Sequence, residues 1–168
     1  MTRMMLKPSA NFRIFTLLVV TAGAVLLFGS ANGQVQRKAA AHAGSEDESP
    51  LFHDYRGIQL GMMSDEVRKK LGEPKDKSDE QDFFIFDETE TAQIVYDKTH
   101  KVITISADFM TPSTSVLTAK QVFGADIEAK ADGSVYRMVR YPKAGYWLSY
   151  NRTSGTSPLT TVTLQKIQ

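Results

Sequence analysis

The sequence is most strongly constrained by an internal similarity between a first half, residues 51–110, and a second half, residues 111–168. Three short segments of the first half recur in the second half in the same order. The first set is Leu71-Gly72, Tyr96-Asp97-Lys98-Thr99 and Ile103-Thr104-Ile105, and the second set is Phe123-Gly124, Tyr150-Asn151-Arg152-Thr153 and Val162-Thr163-Leu164. Their offsets are 52, 54 and 59 residues, so the second half gains residues only where loops are expected. A similarity of this length predicts two copies of one supersecondary unit, each covering the apolar face of the other.

The first half has the pattern of one helix followed by three strands. Ser64 can cap a helix whose apolar face holds Met63, Val67 and Leu71, and Gly72 ends it. Alternating apolar residues then predict strands over residues 82–87, 92–97 and 101–107.

The second half repeats this order. We expect a helix that opens at Pro112, carries Val116, Ala119 and Phe123 on one face, and ends at Gly124. Strands are expected over residues 135–141, 145–151 and 159–167. Joined edge to edge, two such units predict an α+β fold in which tandem helix-plus-meander repeats form one curved antiparallel sheet with two helices on one face.

The N-terminal region has the composition of a targeting segment. Basic residues precede an apolar run over residues 14–28, and small residues follow it. Because a membrane span needs about 20 apolar residues and this run is shorter, residues 1–33 are predicted to be a cleaved signal peptide. The alternative is an uncleaved membrane anchor, which would be the chain's only contact with the membrane. Either way the remainder is expected to be exported, to the periplasm or the cell envelope.

Residues 34–50 connect this segment to the folded part. They lack periodicity and hold a single large apolar residue, Val35. Such a stretch cannot bury enough surface to offset the entropy of ordering it, so we predict a disordered tether.

Charge and cysteine content exclude several functional classes. Without residues 1–33 the chain holds 17 Lys and Arg against 19 Asp and Glu, which gives no basic footprint for nucleic acid. The first half carries 8 basic and 13 acidic residues, and the second half 7 and 3. Either the halves dock through complementary charge, or the basic half faces an acidic partner. There is no cysteine, which excludes thiolate metal sites and thiol nucleophiles.

No motif indicates catalysis, a metal or a cofactor. The three histidines, His42, His53 and His100, have no partner at ligand spacing. An acidic cluster after the first helix lacks the ligand order and central glycine of a calcium loop, so we interpret it as solvated. Its members are Asp76, Asp79, Glu80 and Asp82. We therefore expect no catalytic residue, no metal site and no cofactor.

Aromatic and arginine side chains concentrate in the second half. These are the residue types that dominate protein interfaces. The candidate partner-binding residues are Arg137, Arg140, Tyr141, Tyr146 and Trp147. Strand alternation puts Arg137 and Arg140 on opposite faces, so we expect at least one of them not to belong to the binding surface.

The segment from Gly61-Met62-Met63-Ser64 through Val67 to Leu71-Gly72-Glu73-Pro74 resembles the SmpA/OmlA (BamE-like) family of small envelope proteins. The aromatic strand Phe84-Ile85-Phe86 and the strand end Val95-Tyr96-Asp97 match the same pattern. Two tandem units also resemble the β-lactamase-inhibitor-protein architecture. These resemblances imply a helix-backed antiparallel sheet whose open face binds another protein. The chain departs from the family in having no cysteine to carry a lipid and in holding a second copy.

From these patterns we expect an exported, non-enzymatic binding or scaffold module of the bacterial cell envelope, linked to outer-membrane assembly or maintenance. Its partner would be another envelope protein and not a nucleic acid. Two alternatives remain open: an inhibitor of a secreted enzyme, and a hydrolase that uses carboxylates which no motif identifies.

Overall fold

The helices and strands follow one another in the order expected from the sequence, with one short strand added. A computed structural model describes residues 49–167, so the predicted signal peptide and nearly all of the predicted tether lie outside the described residues. The elements in chain order are α1 (Ser64–Leu71), β1 (Asp76–Lys77), β2 (Gln81–Ile85), β3 (Glu90–Tyr96), β4 (Val102–Met110), α2 (Ala119–Phe123), β5 (Val135–Tyr141), β6 (Tyr146–Arg152) and β7 (Leu159–Lys166). The chain is α+β, as expected.

All seven strands form a single antiparallel sheet in the order β1-β2-β3-β4-β7-β6-β5. Strands β2 to β4 make one meander and strands β5 to β7 make another. The two meanders join through β4 and β7, where Ile105 lies opposite Leu164. The added strand β1 pairs with the outer edge of β2, with Asp76 opposite Phe83.

One face of the sheet, the inner face, carries the hydrophobic core. A row of side chains crosses six strands on this face, and all of its members are buried. In sheet order the row is Asp82, Ile94, Ile105, Leu164, Leu148 and Val139. Val67 of α1 and Val122 of α2 are fully buried in the same core, so both helices cover the inner face. Burial of each such apolar side chain stabilises the fold by about 1.5–3 kcal/mol.

The N-cap of helix α1 lies one residue before the predicted cap, Ser64. Met63 is the N-cap, and its N–H donates to the Glu66 carboxylate at 3.1 Å. Ser64 is the first helical residue, and its N–H donates to the carbonyl of His100. The helix buries Val67 and half-buries Leu71, and Gly72 ends it at φ 90°, a conformation that favours glycine.

Helix α2 is shorter than predicted, and its predicted start at Pro112 is wrong. The helix begins after Thr118, whose hydroxyl accepts from the N–H of Gln121 while the Gln121 amide accepts from the Thr118 N–H. This reciprocal pair is a capping box, and it fixes the N-terminus more strongly than a proline six residues earlier. Val116 therefore lies in the preceding loop, half-buried against the core.

Within residues 49–167, no helix has the length and apolar composition needed to cross a membrane.

Candidate functional site

The sheet face opposite the core is named here the outer face. It consists of the alternate residues of β2 to β7 that lie between the core residues along each strand. One row across it runs Phe83, Gln93, Ser106, Thr163, Ser149 and Met138. Both helices of residues 49–167 pack on the inner face, so no helix in that range covers the outer face.

Exposed apolar side chains concentrate on the outer face. Among residues 49–167 six large hydrophobic side chains are exposed, and four of them belong to this face. The four are Ile85 (51% exposed), Met110 (43%), Tyr136 (52%) and Met138 (49%). Single exposed apolar residues are ordinary, but several on one sheet face mark a surface suited to binding.

The centre of the outer face is polar and internally bonded. The hydroxyls of Ser106 and Thr163 lie 3.2 Å apart across β4 and β7. The Thr161 hydroxyl donates to the carboxylate of Asp108 at 2.6 Å. The face is therefore a platform of short polar side chains with larger apolar ones toward both ends.

At the β5 end of the outer face four side chains form what we name the β5 patch: Tyr136, Met138, Arg140 and Trp147. Arg140 and Trp147 are cross-strand partners on β5 and β6. Lys130 reaches toward the patch, with its ammonium nitrogen 5.9 Å from the centre of the Tyr136 ring. The patch combines the exposed ring of Tyr136, the half-buried ring of Trp147 and a flexible thioether with positive charge, a composition typical of interface centres.

The structure splits the five residues predicted to bind a partner between the two faces. Tyr141 and Tyr146 are buried on the inner face, with ring centres 6.0 Å apart, so they do not belong to an exposed surface. Burial raises the pKa of Tyr146 to about 12, and its hydroxyl donates to the carbonyl of Phe52. Arg137 also lies on the inner side, where its guanidinium is 5.1 Å from the centre of the Phe123 ring.

Arg140 and Trp147 are the two predicted residues that the structure brings together on the outer face. As expected, the two arginines do not share a face: Arg137 faces inward and Arg140 faces outward. The prediction missed Tyr136 and Met138. The sequence could have indicated them, because residues 136, 138 and 140 alternate along one strand and therefore lie on the same face.

The first half holds a buried carboxylate cluster at Asp82. This residue is fully buried, although the sequence suggested a solvated acidic loop. Arg68 of α1 donates to both carboxylate oxygens, at 2.8 and 3.0 Å, and the Tyr96 hydroxyl donates at 2.7 Å. Hydrogen bonding to Asp82 raises the pKa of Arg68, so the guanidinium stays charged. The cluster ties α1 to strands β2 and β3.

A second buried carboxylate cluster surrounds Glu90 at the start of β3. One carboxylate oxygen accepts from the Tyr55 hydroxyl at 2.6 Å and from the Arg56 Nε at 2.9 Å, and the other accepts from the Ser115 hydroxyl at 2.6 Å. Burial acts to raise the pKa of Glu90, but the hydrogen bonds from Arg56, Ser115 and Tyr55 outweigh it and hold the pKa below its usual range. Burial and the bond to Glu90 raise the pKa of Tyr55 above that of a free phenol.

One cavity lies beside the Glu90 cluster, and its polar wall is made of groups that are already paired. This cavity of about 280 Å³ has Tyr55, Arg56, Glu90 and Ser115 in its wall, and these groups bond to one another. No set of three or more metal-ligating side chains converges in the described part of the chain.

The geometry of the outer face and of the two carboxylate clusters is the basis for inferring a function. Comparison of the chain with protein-family models, with curated proteins and with solved structures found no match.

Proposed function

We propose that this protein is an exported, non-enzymatic binding module of the bacterial cell envelope, and that its β5 patch binds an acidic, partly apolar surface of another envelope protein. The observation that carries the proposal is the concentration of exposed large apolar side chains, four of six among the described residues, on one uncovered sheet face.

The side chains of the β5 patch have the properties that favour binding to another protein. The rings of Tyr136 and Trp147 supply large contact area at a small entropy cost. Arg140 adds the planar N–H donors of a guanidinium group, which suit a carboxylate of the partner. The second half carries 7 basic and 3 acidic residues, so its field attracts an acidic partner and steers its approach.

The same proposal includes two tandem copies of a helix-plus-meander unit, in line with the resemblance to SmpA/OmlA-like envelope proteins. Three placements support it. Leu71 and Phe123 each end a helix and are half-buried against the core. Tyr96 and Tyr150 lie on the middle strands of their meanders, and Ile105 lies opposite Leu164 where the meanders join. A link to outer-membrane assembly or maintenance is the role that this resemblance suggests.

The alternative of a carboxylate hydrolase is disfavoured because both buried carboxylates are held by side chains of the chain itself. All four oxygens of Asp82 and Glu90 accept hydrogen bonds from side chains of the chain itself. A general acid or base needs an oxygen within reach of a substrate proton. We therefore assign both clusters to positioning of the first half.

The test is a binding measurement with variants of the β5 patch. A tagged chain captures its partner from an envelope extract of the native host, and the affinity of the purified pair is then measured. Tyr136→Ala and Trp147→Ala should each weaken binding by at least about fivefold, as at interface hot spots, and added salt should weaken the wild-type complex. Met63→Ala is the matched control, since Met63 is 40% exposed at the start of α1.

Two results would reject the proposal. One is full-strength binding by both patch variants together with loss of binding in Met63→Ala. The other is loss of binding only when charges within residues 75–90 are reversed, which would assign binding to the acidic half.

A further inference from the structure

The two edges of the sheet are built differently. At one edge β1 and its flanking loop cover β2, with the Lys75 N–H donating to the Phe83 carbonyl at 2.8 Å. At the other edge β5 spans seven residues and pairs only with β6, in unbroken register. Among residues 49–167, the backbone hydrogen bonds of β5 are those of its ladder with β6 and those that the Tyr141 carbonyl accepts within the hairpin. In the described part of the chain, one edge of the sheet therefore ends in the two-residue strand β1, whereas the other presents a row of backbone donors and acceptors along β5.

Strand β5 also lacks most of the features that prevent edge pairing. The sequence Val135-Tyr-Arg-Met-Val-Arg-Tyr141 contains no proline, glycine or lysine. Its pairing with β6 contains no bulge. Its charged residues are two arginines, Arg137 on the inner side over the Phe123 ring and Arg140 on the outer face, and the inward charge of Arg137 is the one protective feature it has. A long regular edge of this kind is a template for one more strand.

We propose that β5 pairs with β5 of a second copy of this chain, antiparallel, about a two-fold axis at Met138. This register overlaps all seven residues. It places Tyr136 opposite Arg140 of the second copy, and Arg140 opposite Tyr136 of the second copy. Both pairs fall on the outer face, where a guanidinium over a tyrosine ring is attractive. The strand is thus complementary to itself, which is what a two-fold interface requires.

Neighbouring registers are less favourable. A shift of one residue would place outer-face side chains opposite inner-face ones, which the buried core forbids. A shift of two residues in one direction centres the pairing on Arg137 and leaves Arg140 and Tyr141 without partners on β5 of the second copy. The opposite shift sets Tyr136 against Pro142 of the second copy, which cannot donate to the ladder. Only the register centred on Met138 uses the full strand without such a conflict.

The paired chains would form one continuous sheet with two β5 patches side by side. This inference does not depend on the proposed function, because the dimer forms without any partner. Its failure would leave the outer face intact, and failure of partner binding would leave the dimer intact.

A single-cysteine experiment tests the register. The chain has no cysteine, so each variant carries one thiol. At the axis the two Cα atoms of residue 138 would lie about 4.5–5.5 Å apart, within the range a disulfide bridges. Met138→Cys should give a disulfide-linked dimer under mild oxidation. Ser149→Cys is the control, because its position opposite Met138 on β6 puts the two thiols about three strand spacings, or roughly 14 Å, apart. Equal crosslinking of both variants, or none in Met138→Cys, would overturn the proposal.

A charge experiment tests the dimer itself. Sedimentation velocity of the purified chain should show a monomer–dimer equilibrium. Met138→Lys should raise the dissociation constant by about tenfold or more, since two ammonium groups would meet at the axis. Met110→Lys should leave it unchanged, because Met110 is a comparably exposed methionine on the same face, but on the central strand β4. A wild-type chain that is monomeric at every concentration, or a Met138→Lys chain that dimerises as tightly as the wild type, would contradict the inference.

Discussion

The buried row of the inner face ends in a charged residue in the first half of the sheet and in an apolar residue in the second half. At the β2 end the row finishes in Asp82, a buried carboxylate held by Arg68 and Tyr96. At the β5 end it finishes in Val139, an apolar side chain that needs no partner. Both buried carboxylates of the described chain belong to the first half. Similar strand arrangements are thus stabilised by ion pairs on one side and by apolar packing on the other.

The difference matters because it separates stability from binding. In the first half Arg56 and Arg68 are committed to internal carboxylates. In the second half Arg140 is exposed beside Trp147 and the exposed ring of Tyr136. The acidic half therefore uses its charged groups to hold α1 and the chain around Tyr55 against the sheet. The basic half keeps charge and aromatic area at the surface.

The largest expected change in the free energy of unfolding comes from substituting Arg68, the cation that holds Asp82. Arg68→Ala leaves the Asp82 carboxylate buried without its cation, and loss of one partner of a buried pair costs about 3–5 kcal/mol. Val139→Ala at the other end of the row removes two methyl groups and should cost less, within the range of about 1.5–3 kcal/mol for burying a whole valine. Urea unfolding of both variants measures the free energies. A larger loss for Val139→Ala would show that apolar packing governs both ends.

The second effect is a pH dependence located in the first half. The folded-state pKa of Glu90 lies below its usual range, so the folded state holds this proton less tightly than the unfolded state. Its contribution to stability is present above about pH 4.3, the ordinary glutamate value, and is lost as pH falls through the folded pKa.

Glu90→Gln should therefore flatten the acid limb of a stability profile measured by urea unfolding between neutral and acidic pH. The exposed Glu88→Gln is the matched control and should leave the limb unchanged. Identical acid limbs for wild type and Glu90→Gln would show that the Glu90 cluster does not determine acid stability.

The smallest expected effect is a difference in partner affinity between substitutions at the two ends of the outer face. Ile85 and Tyr136 are equally exposed, at 51% and 52%, but Ile85 lies on β2 and Tyr136 on β5. Tyr136→Ala should weaken partner binding by at least 1 kcal/mol, about fivefold, while Ile85→Ala should leave the affinity within twofold of wild type. Calorimetric titration of each variant with the purified partner measures both values. The reverse result would move the contact to the first half.

Local patterning was sufficient to predict the strands and much of their pairing. Apolar alternation predicted β5 at its observed bounds and placed the other long strands within a few residues. The helix ends at Leu71 and Phe123 followed from glycine stops. The start of α2 was predicted at Pro112, whereas the observed start is fixed by the capping box of Thr118 and Gln121. The two-residue strand β1 has no periodicity to detect.

The carboxylate clusters and the exposed patch could not be predicted from local pattern. Arg68 is 14 residues from Asp82 and Arg56 is 34 residues from Glu90, so these pairs exist only after α1 and the segment before it dock. At the patch, alternation separated Arg137 from Arg140 but did not fix which parity faces the core. Both parities of β6 carry aromatic residues, so burial of Tyr146 rather than Trp147 depends on packing against the N-terminal segment around Phe52.

Oxidative footprinting of the partner complex tests the central claim, that the outer face at β5 is the binding surface, most directly. Met138 on the patch and Met63 at the start of α1 are similarly exposed in the chain, at 49% and 40%. Hydroxyl-radical labelling with mass spectrometry compares both methionines, and Trp147, with and without the purified partner at one chain concentration. The account predicts that Met138 and Trp147 become protected while Met63 is oxidised as before. Protection of Met63 with unchanged oxidation of Met138 and Trp147 would place the partner on the helical side and contradict it.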